Sequence, residues 1–209
     1  VVFMFHEWWG LNDYVKAEAE RISKTHDVMV VALDLYDGKV ATTRDDAAKY
    51  MQEMATSGRG STITAGAFEL YKPDTLFAID TFYVPQRDII TIGWCLGGSW
   101  SMKAALLPEN EHVVGCVIYY GMPETNADAL KNLHAPILGI FANKDKWITP
   151  EVVSNFEAAM TKAKKPLTLR TYDADHGFAN PSNPNHNKAA TEDARNHADE
   201  FIRTRFGLK

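Results

Sequence analysis

Apolar residues along the chain gather in short runs rich in Val, Ile, Leu and Phe, and these runs alternate with longer segments in which apolar positions recur every three or four residues. The short runs predict strands buried on both faces at 1–5, 28–33, 89–92, 113–119, 137–142 and 167–172. The periodic segments predict helices. One covers 12–22, and a second begins at Thr43 with Asp46 three residues on, its apolar positions falling at 47, 48, 51, 54 and 55. Thr149 followed by Pro150 starts a third, whose apolar face is Val152, Val153, Phe156, Ala159, Met160 and Ala163. The last, about 188–206, buries Ala190, Ala194, Ala198, Phe201 and Ile202 and stops before Gly207. Strands alternating with helices define an α/β protein with a mostly parallel sheet covered on both faces. The stretch 57–85, with Gly58, Gly60, Gly66 and Pro73, is weakly patterned and reads as a cover over a site.

Composition narrows the partners more than the fold. The 209 residues, 45% hydrophobic and 23% charged, suit a single domain. No apolar run approaches the roughly 20 residues that a membrane span needs. A net charge of -5 offers no basic stripe to nucleic acid or to an anionic membrane, so a small molecule is the expected partner of a monomer or homodimer. Two cysteines, Cys95 and Cys116, cannot frame a disulfide scaffold, and their apolar neighbours point to a reduced, cytoplasmic setting. Because Val1 already lies in a core-strand pattern and no methionine precedes it, the start is expected to be processed, truncated or partly missing.

Candidate chemistry starts at Gly93-Trp94-Cys95-Leu96-Gly97-Gly98, which follows a strand run and opens a helix. A sharp turn between small neighbours lifts a nucleophile above the sheet, and the helix N-terminus behind it favours a negative sulfur and offers the Leu96 amide to an oxyanion. A buried core cysteine beside turn glycines is the alternative. Cys116, in mid-strand, reads as core. Such an elbow calls for an acid and then a histidine at later strand ends. Asp145 follows the fifth run and His176 the sixth, which fills both places. Asp173 and Asp175 are rival acids but lie too near His176 to suit that role. After the first strand, in His6-Glu7-Trp8-Trp9-Gly10, Trp8 is the natural second amide donor. Glu7 there is either a turn carboxylate or one that a site requires. Trp8, Trp9, Trp94 and Trp147 neighbour these positions and suit an apolar or aromatic pocket. No histidine pair has zinc-ligand spacing with a third ligand, so neither a metal nor a cofactor is expected.

Taken in order, His6-Glu7-Trp8-Trp9-Gly10-Leu11-Asn12, Asp34-Leu35-Tyr36, Gly93-Trp94-Cys95-Leu96-Gly97-Gly98, Tyr119-Tyr120-Gly121, Asp145 and His176-Gly177-Phe178 resemble the dienelactone hydrolase (carboxymethylenebutenolidase) family. The resemblance implies an α/β-hydrolase fold, a Cys95, His176 and Asp145 triad, and hydrolysis of a lactone or ester through a thioester. It also implies that Glu7 activates the thiol by accepting its proton, and it adds Tyr36 to the pocket. One departure bears on substrate: no arginine follows His176, where Gly177, Phe178, Ala179 and Asn180 stand, while Arg44 and Arg59 read as surface charges. Two other functions fit the same residues. A non-catalytic small-molecule-binding protein could use the scaffold without turnover, and a peroxide-sensing Cys95 would need a resolving thiol that mid-strand Cys116 is poorly placed to supply.

Overall fold

Six short runs rich in branched and aromatic residues form strands that, in the computed structural model, lie in one sheet. The inner four are buried on both faces as expected, whereas the edge runs 30–33 and 167–172 stay partly exposed because each pairs on one side alone among the described residues. The structure describes residues 1–71, 88–108 and 110–208. The strands are β1 (Val2–Phe5), β2 (Val30–Leu33), β3 (Ile89–Trp94), β4 (Val113–Tyr119), β5 (Ile137–Ala142) and β6 (Leu167–Tyr172). Their order is β2-β1-β3-β4-β5-β6, and every neighbouring pair is parallel. The helices are α1 (Asp13–His26), α2 (Arg44–Ser57), α3 (Arg59–Leu70), α4 (Leu96–Ala105), α5 (Ala127–Leu130), α6 (Pro150–Ala163) and α7 (Lys188–Phe206).

Alternate residues of each strand point to opposite faces, so the sheet divides the core in two. Phe3 and Phe5 join Phe141, Phe156 and Met160 on one side, beneath α2, α3, α4 and α6. Val2 and Met4 join Val15, Ile22, Ala194 and Ile202 on the other, beneath α1 and α7. Local chemistry sets the helix ends. Asn12, Thr43, Thr149 and Asn187 each accept an amide of their own first turn, and Gly207 closes α7 in a left-handed conformation.

Two sequence expectations shift. The Thr43 helix buries Ala47 and Met54 and packs Tyr50 on the core, while Ala48, Met51 and Ala55 face outward. Its apolar face is narrower than alanine spacing suggests, because alanine is tolerated equally on either side of a helix. Much of the stretch expected as a cover is ordered: α3 fills 59–70, and its Gly60 lies against the Trp100 ring, where a β-carbon would come within 2.2 Å. The rest of that stretch, including Pro73 and Pro85, falls outside the described residues.

Because β1 lies between β2 and β3, the chain turns one way after β1 and the other way after β2. That reversal opens a crevice at the carboxyl ends of β1 and β3, where sheets of this kind place ligands. Closing it requires the start of α4 to touch the end of β1. A β-carbon on Gly97 would stand 2.1 Å from the Phe5 carbonyl oxygen and 2.5 Å from that of His6, with backbone unable to yield. Gly97→Ala is therefore expected to lower unfolding free energy by about 3 kcal/mol or to prevent folding. Urea unfolding measures it, and an unchanged midpoint would mean that the contact is looser than this.

Candidate active site

The turn after β3 sets the site. Cys95 has φ of 54° and ψ of -118°, a conformation that side chains with a β-carbon rarely adopt. Three contacts hold it there. Its amide donates to the Tyr119 carbonyl at 2.9 Å, its own carbonyl accepts the Gly98 amide at 3.0 Å, and Gly93 lies so near Gly97 that a β-carbon would meet the Gly97 carbonyl oxygen at 2.1 Å. Both glycines are therefore required by close approach.

Loops from β5 and β6 bring their side chains to the same sulfur. His176 Nε2 is 3.1 Å from Cys95 Sγ, and His176 Nδ1 is 2.6 Å from Asp145 Oδ2. The other oxygen of Asp145 accepts the amides of Trp147 at 2.8 Å and Ile148 at 3.0 Å. Burial works to raise the Asp145 carboxyl, yet the bond from His176 and these amides hold it below the ordinary carboxylate range. Burial likewise opposes a charge on His176, but the bonds to Asp145 and to the Cys95 sulfur outweigh it and raise the imidazole to about 10. The expected acid, base and nucleophile thus form one hydrogen-bonded chain, while the rivals Asp173 and Asp175 stay outside it.

Glu7, on the loop after β1, is almost wholly buried. Asn180 Nδ2 donates to one of its oxygens at 2.5 Å and the Tyr120 hydroxyl to the other at 3.4 Å. Burial raises its pKa against the pull of Asn180, His176 and Tyr120. The Tyr120 ring also packs edge-on against His176, with centroids 5.1 Å apart, so one residue touches both ionisable groups. Among the described residues Glu7 forms no hydrogen bond with Cys95; the sulfur is engaged by His176 instead.

The remaining candidates divide. Among the described residues, the amides of Trp8 and Leu96 donate to no partner. Trp8 and Trp9 pack on each other with centroids 4.9 Å apart, and both are partly exposed. Trp147 is 64% exposed although its ring stands 5.1 Å from that of His176. Tyr36 is buried with no partner for its hydroxyl among the described residues, and burial, with a smaller effect from Cys95, pushes its ionisation upward. Trp94 lies elsewhere: it stacks on Tyr119 in the core beneath the turn, because its side chain falls on the α1 and α7 side of β3. Arg59 donates to Asp37 at 2.7 Å, and Arg44 is exposed. Among the described residues no group of three or more His, Cys, Asp or Glu is placed to hold a metal, and no helix is long and apolar enough to cross a membrane.

A family model described as the dienelactone hydrolase family matches residues 1–206. The chain belongs to the dienelactone hydrolase family. A provisionally named carboxymethylenebutenolidase of Saccharolobus solfataricus is 28% identical over 234 residues, covering 97% of this chain and 88% of that protein. Another of that name from Aquifex aeolicus is 28% identical over 86% of this chain and 76% of its own length. Among solved structures, a dienelactone hydrolase-like promiscuous phosphotriesterase from metagenomic libraries superposes with a TM-score of 0.79 at 17% identity, over 97% of this chain and 85% of that one. This likeness shows the α/β-hydrolase fold. Membership of the dienelactone hydrolase family makes the chain an ester- or lactone-type hydrolase.

Two groups beside Glu7 escaped the sequence reading. Tyr120 stood inside the Tyr119-Tyr120-Gly121 motif without a role, and Asn180 stood where an arginine was looked for. A polar residue four positions after the histidine was the available signal, but only the folded loop turns Asn180 back onto Glu7.

The raised imidazole gives a direct check. His176 is expected to titrate near pH 10 by NMR, and Asp145→Asn to move it down toward 6.5. Since the folded pKa exceeds the unfolded one, this group stabilises fully below about pH 6.5 and its contribution is lost as pH rises toward 10. A native His176 that titrates near 6.5 would contradict the geometry.

Proposed function

We propose that this hydrolase cleaves a small lactone or carboxylic ester through a covalent thioester on Cys95. One observation carries the reading: a sulfur, an imidazole and a buried carboxylate linked at 3.1 and 2.6 Å at the strand-to-helix turn. Cys95 attacks the acyl carbonyl, forming a carbon–sulfur bond and an oxyanion. The free amides of Leu96 and Trp8 receive that oxyanion; one such donor is worth about 10²–10³ in rate. As the carbon–oxygen bond breaks, His176 gives its proton to the departing alkoxide, which in a lactone remains tethered to the acyl group. Water then attacks the thioester, His176 takes its proton, and the sulfur leaves as carboxylate product forms. Asp145 fixes the imidazole so that Nε2 faces the sulfur.

Glu7 serves thiol activation in this reading. The Glu7 carboxylate, steadied by its bonds from Asn180 and Tyr120, accepts the thiol proton, and burial, which raises its pKa, favours the neutral carboxyl that results. Trp8, Trp9 and Trp147 offer an aromatic surface to the acyl or alcohol part, with the exposed Trp147 at the rim, whereas Tyr36 is buried in the core. No cofactor enters these steps. The two free cysteines fit a reducing cytoplasmic setting, where a nucleophilic thiol survives.

Hydrolysis of cis-dienelactone and of p-nitrophenyl acetate, followed side by side, tests the reading. Cys95→Ala is expected to fold normally and lose at least 10³-fold in kcat/KM on whichever substrate the native protein turns over. Equal activity in Cys95→Ala would overturn the nucleophile. Preference for the aryl ester is expected, since Arg59 is already paired with Asp37 and no arginine follows His176. Glu7→Gln is expected to cost about tenfold or more at neutral pH by removing a proton acceptor; full activity there would remove Glu7 from the mechanism and leave the triad standing.

A further inference from the structure

His6 is fully buried at the end of β1, ahead of Glu7, and none of the steps above uses it. Both its ring nitrogens are engaged. The Leu35 amide donates to Nε2 at 3.0 Å, so Nε2 carries no hydrogen. The hydrogen is therefore on Nδ1, which donates to the Glu7 carbonyl oxygen at 2.6 Å. That same oxygen also accepts the Gly10 amide at 3.1 Å.

We infer that His6 is a positioning residue for the oxyanion site: as the neutral Nδ1–H tautomer it clamps the Glu7 carbonyl and so aims the Trp8 amide at the acyl oxygen. The link is covalent geometry. The Glu7 carbonyl and the Trp8 amide belong to one planar trans peptide, in which C=O and N–H point in opposite directions. Two donors on the carbonyl fix the plane and leave the N–H facing the other way, where it has no protein partner among the described residues. Leu35, just beyond β2, anchors the far side of the ring. The His6 carbonyl in turn lies against Gly97 at the start of α4, the helix whose Leu96 amide is the second donor. The ring thus ties the Trp8 half of the oxyanion site to the ends of β1 and β2, while the backbone of the same residue borders the Leu96 half. Burial lowers the pKa of His6, against smaller opposing effects from the Glu7 carbonyl and Asp34, which keeps the ring neutral.

The inference rests on the Cys95 mechanism, and its test separates the two. Acylation of Cys95 by p-nitrophenyl acetate needs the oxyanion donors, whereas alkylation of the same sulfur by iodoacetamide needs none. Gln at position 6 can place an acceptor near Nε2 and keep the Leu35 bond, but it loses the donor at Nδ1. Asn can place a donor near Nδ1. His6→Gln is expected to slow acylation about 10²-fold with alkylation within about twofold of native, and His6→Asn to recover most of that loss despite a lower melting temperature. Native acylation in His6→Gln, a parallel fall of acylation and alkylation, or no recovery in His6→Asn would overturn the inference while the nucleophile stands. Native acylation that persists in Cys95→Ala would instead remove the parent mechanism, and the inference with it. If neither variant folds, nitrogen-15 NMR of the native protein decides: His6 is expected as the neutral Nδ1–H tautomer throughout the neutral pH range, and a protonated or Nε2–H ring would overturn the role.

Discussion

At Cys95 the backbone turns to a positive φ while carrying a side chain, a conformation that costs about 1–3 kcal/mol and persists only where the surroundings over-determine it. Here the surroundings are backbone rather than side chains. Gly93 and Gly97 touch each other, Gly97 touches the carbonyls that end β1, and Gly98 lies against Gly121 beyond β4. Three strand ends and a helix start thus meet without a β-carbon between them. Relaxing the turn would require the ends of β1, β3 and β4 to move apart, and each is held by a parallel ladder within a two-sided core. The strain therefore stays at Cys95, whose sulfur it holds within 3.1 Å of His176.

The same closeness creates an electrostatic problem that the side chains solve. Glu7, Asp145 and His176 are three ionisable groups withdrawn from water within one crevice, and an unpaired charge there would cost several kcal/mol. Asp145 is resolved toward charge, since two amides and an imidazole use its lone pairs. His176 follows it upward. Glu7 is resolved the other way: only Asn180 and the long Tyr120 bond oppose its burial, so desolvation wins. Two carboxyls at one site are thereby pushed in opposite directions.

Strand runs, helix starts at Thr43 and Thr149, and the order of Cys95, Asp145 and His176 were legible because each depends on neighbours in sequence. The turn was legible for the same reason: glycines two before and two after a cysteine announce a close approach before one knows to what. What the chain did not disclose is long-range. Trp94 adjoins Cys95 in sequence, yet strand alternation sends it into the core onto Tyr119, while Trp147, two residues from Asp145, reaches His176 from a loop. Adjacency to a catalytic position says little about facing it. Asn180 and Tyr120 are separated by sixty positions and meet only because β4 and the loop after β6 converge on Glu7.

The two cysteines show how far environment governs one chemistry. Cys116 lies in the middle of β4 beneath α4, fully buried, with Ser101 as its neighbour at 3.4 Å, and burial pushes its thiol up to about 11 despite the hydrogen bonds that favour ionisation. Its polar neighbours are the hydroxyls of Ser101 and Thr91. Cys95 is partly exposed at the head of the same helix, with an imidazole 3.1 Å away. The side chains are identical and the same helix packs against both. Position along that helix decides the difference, because its first turn presents unpaired amides and lies at the carboxyl ends of the strands, where the sheet connections reverse.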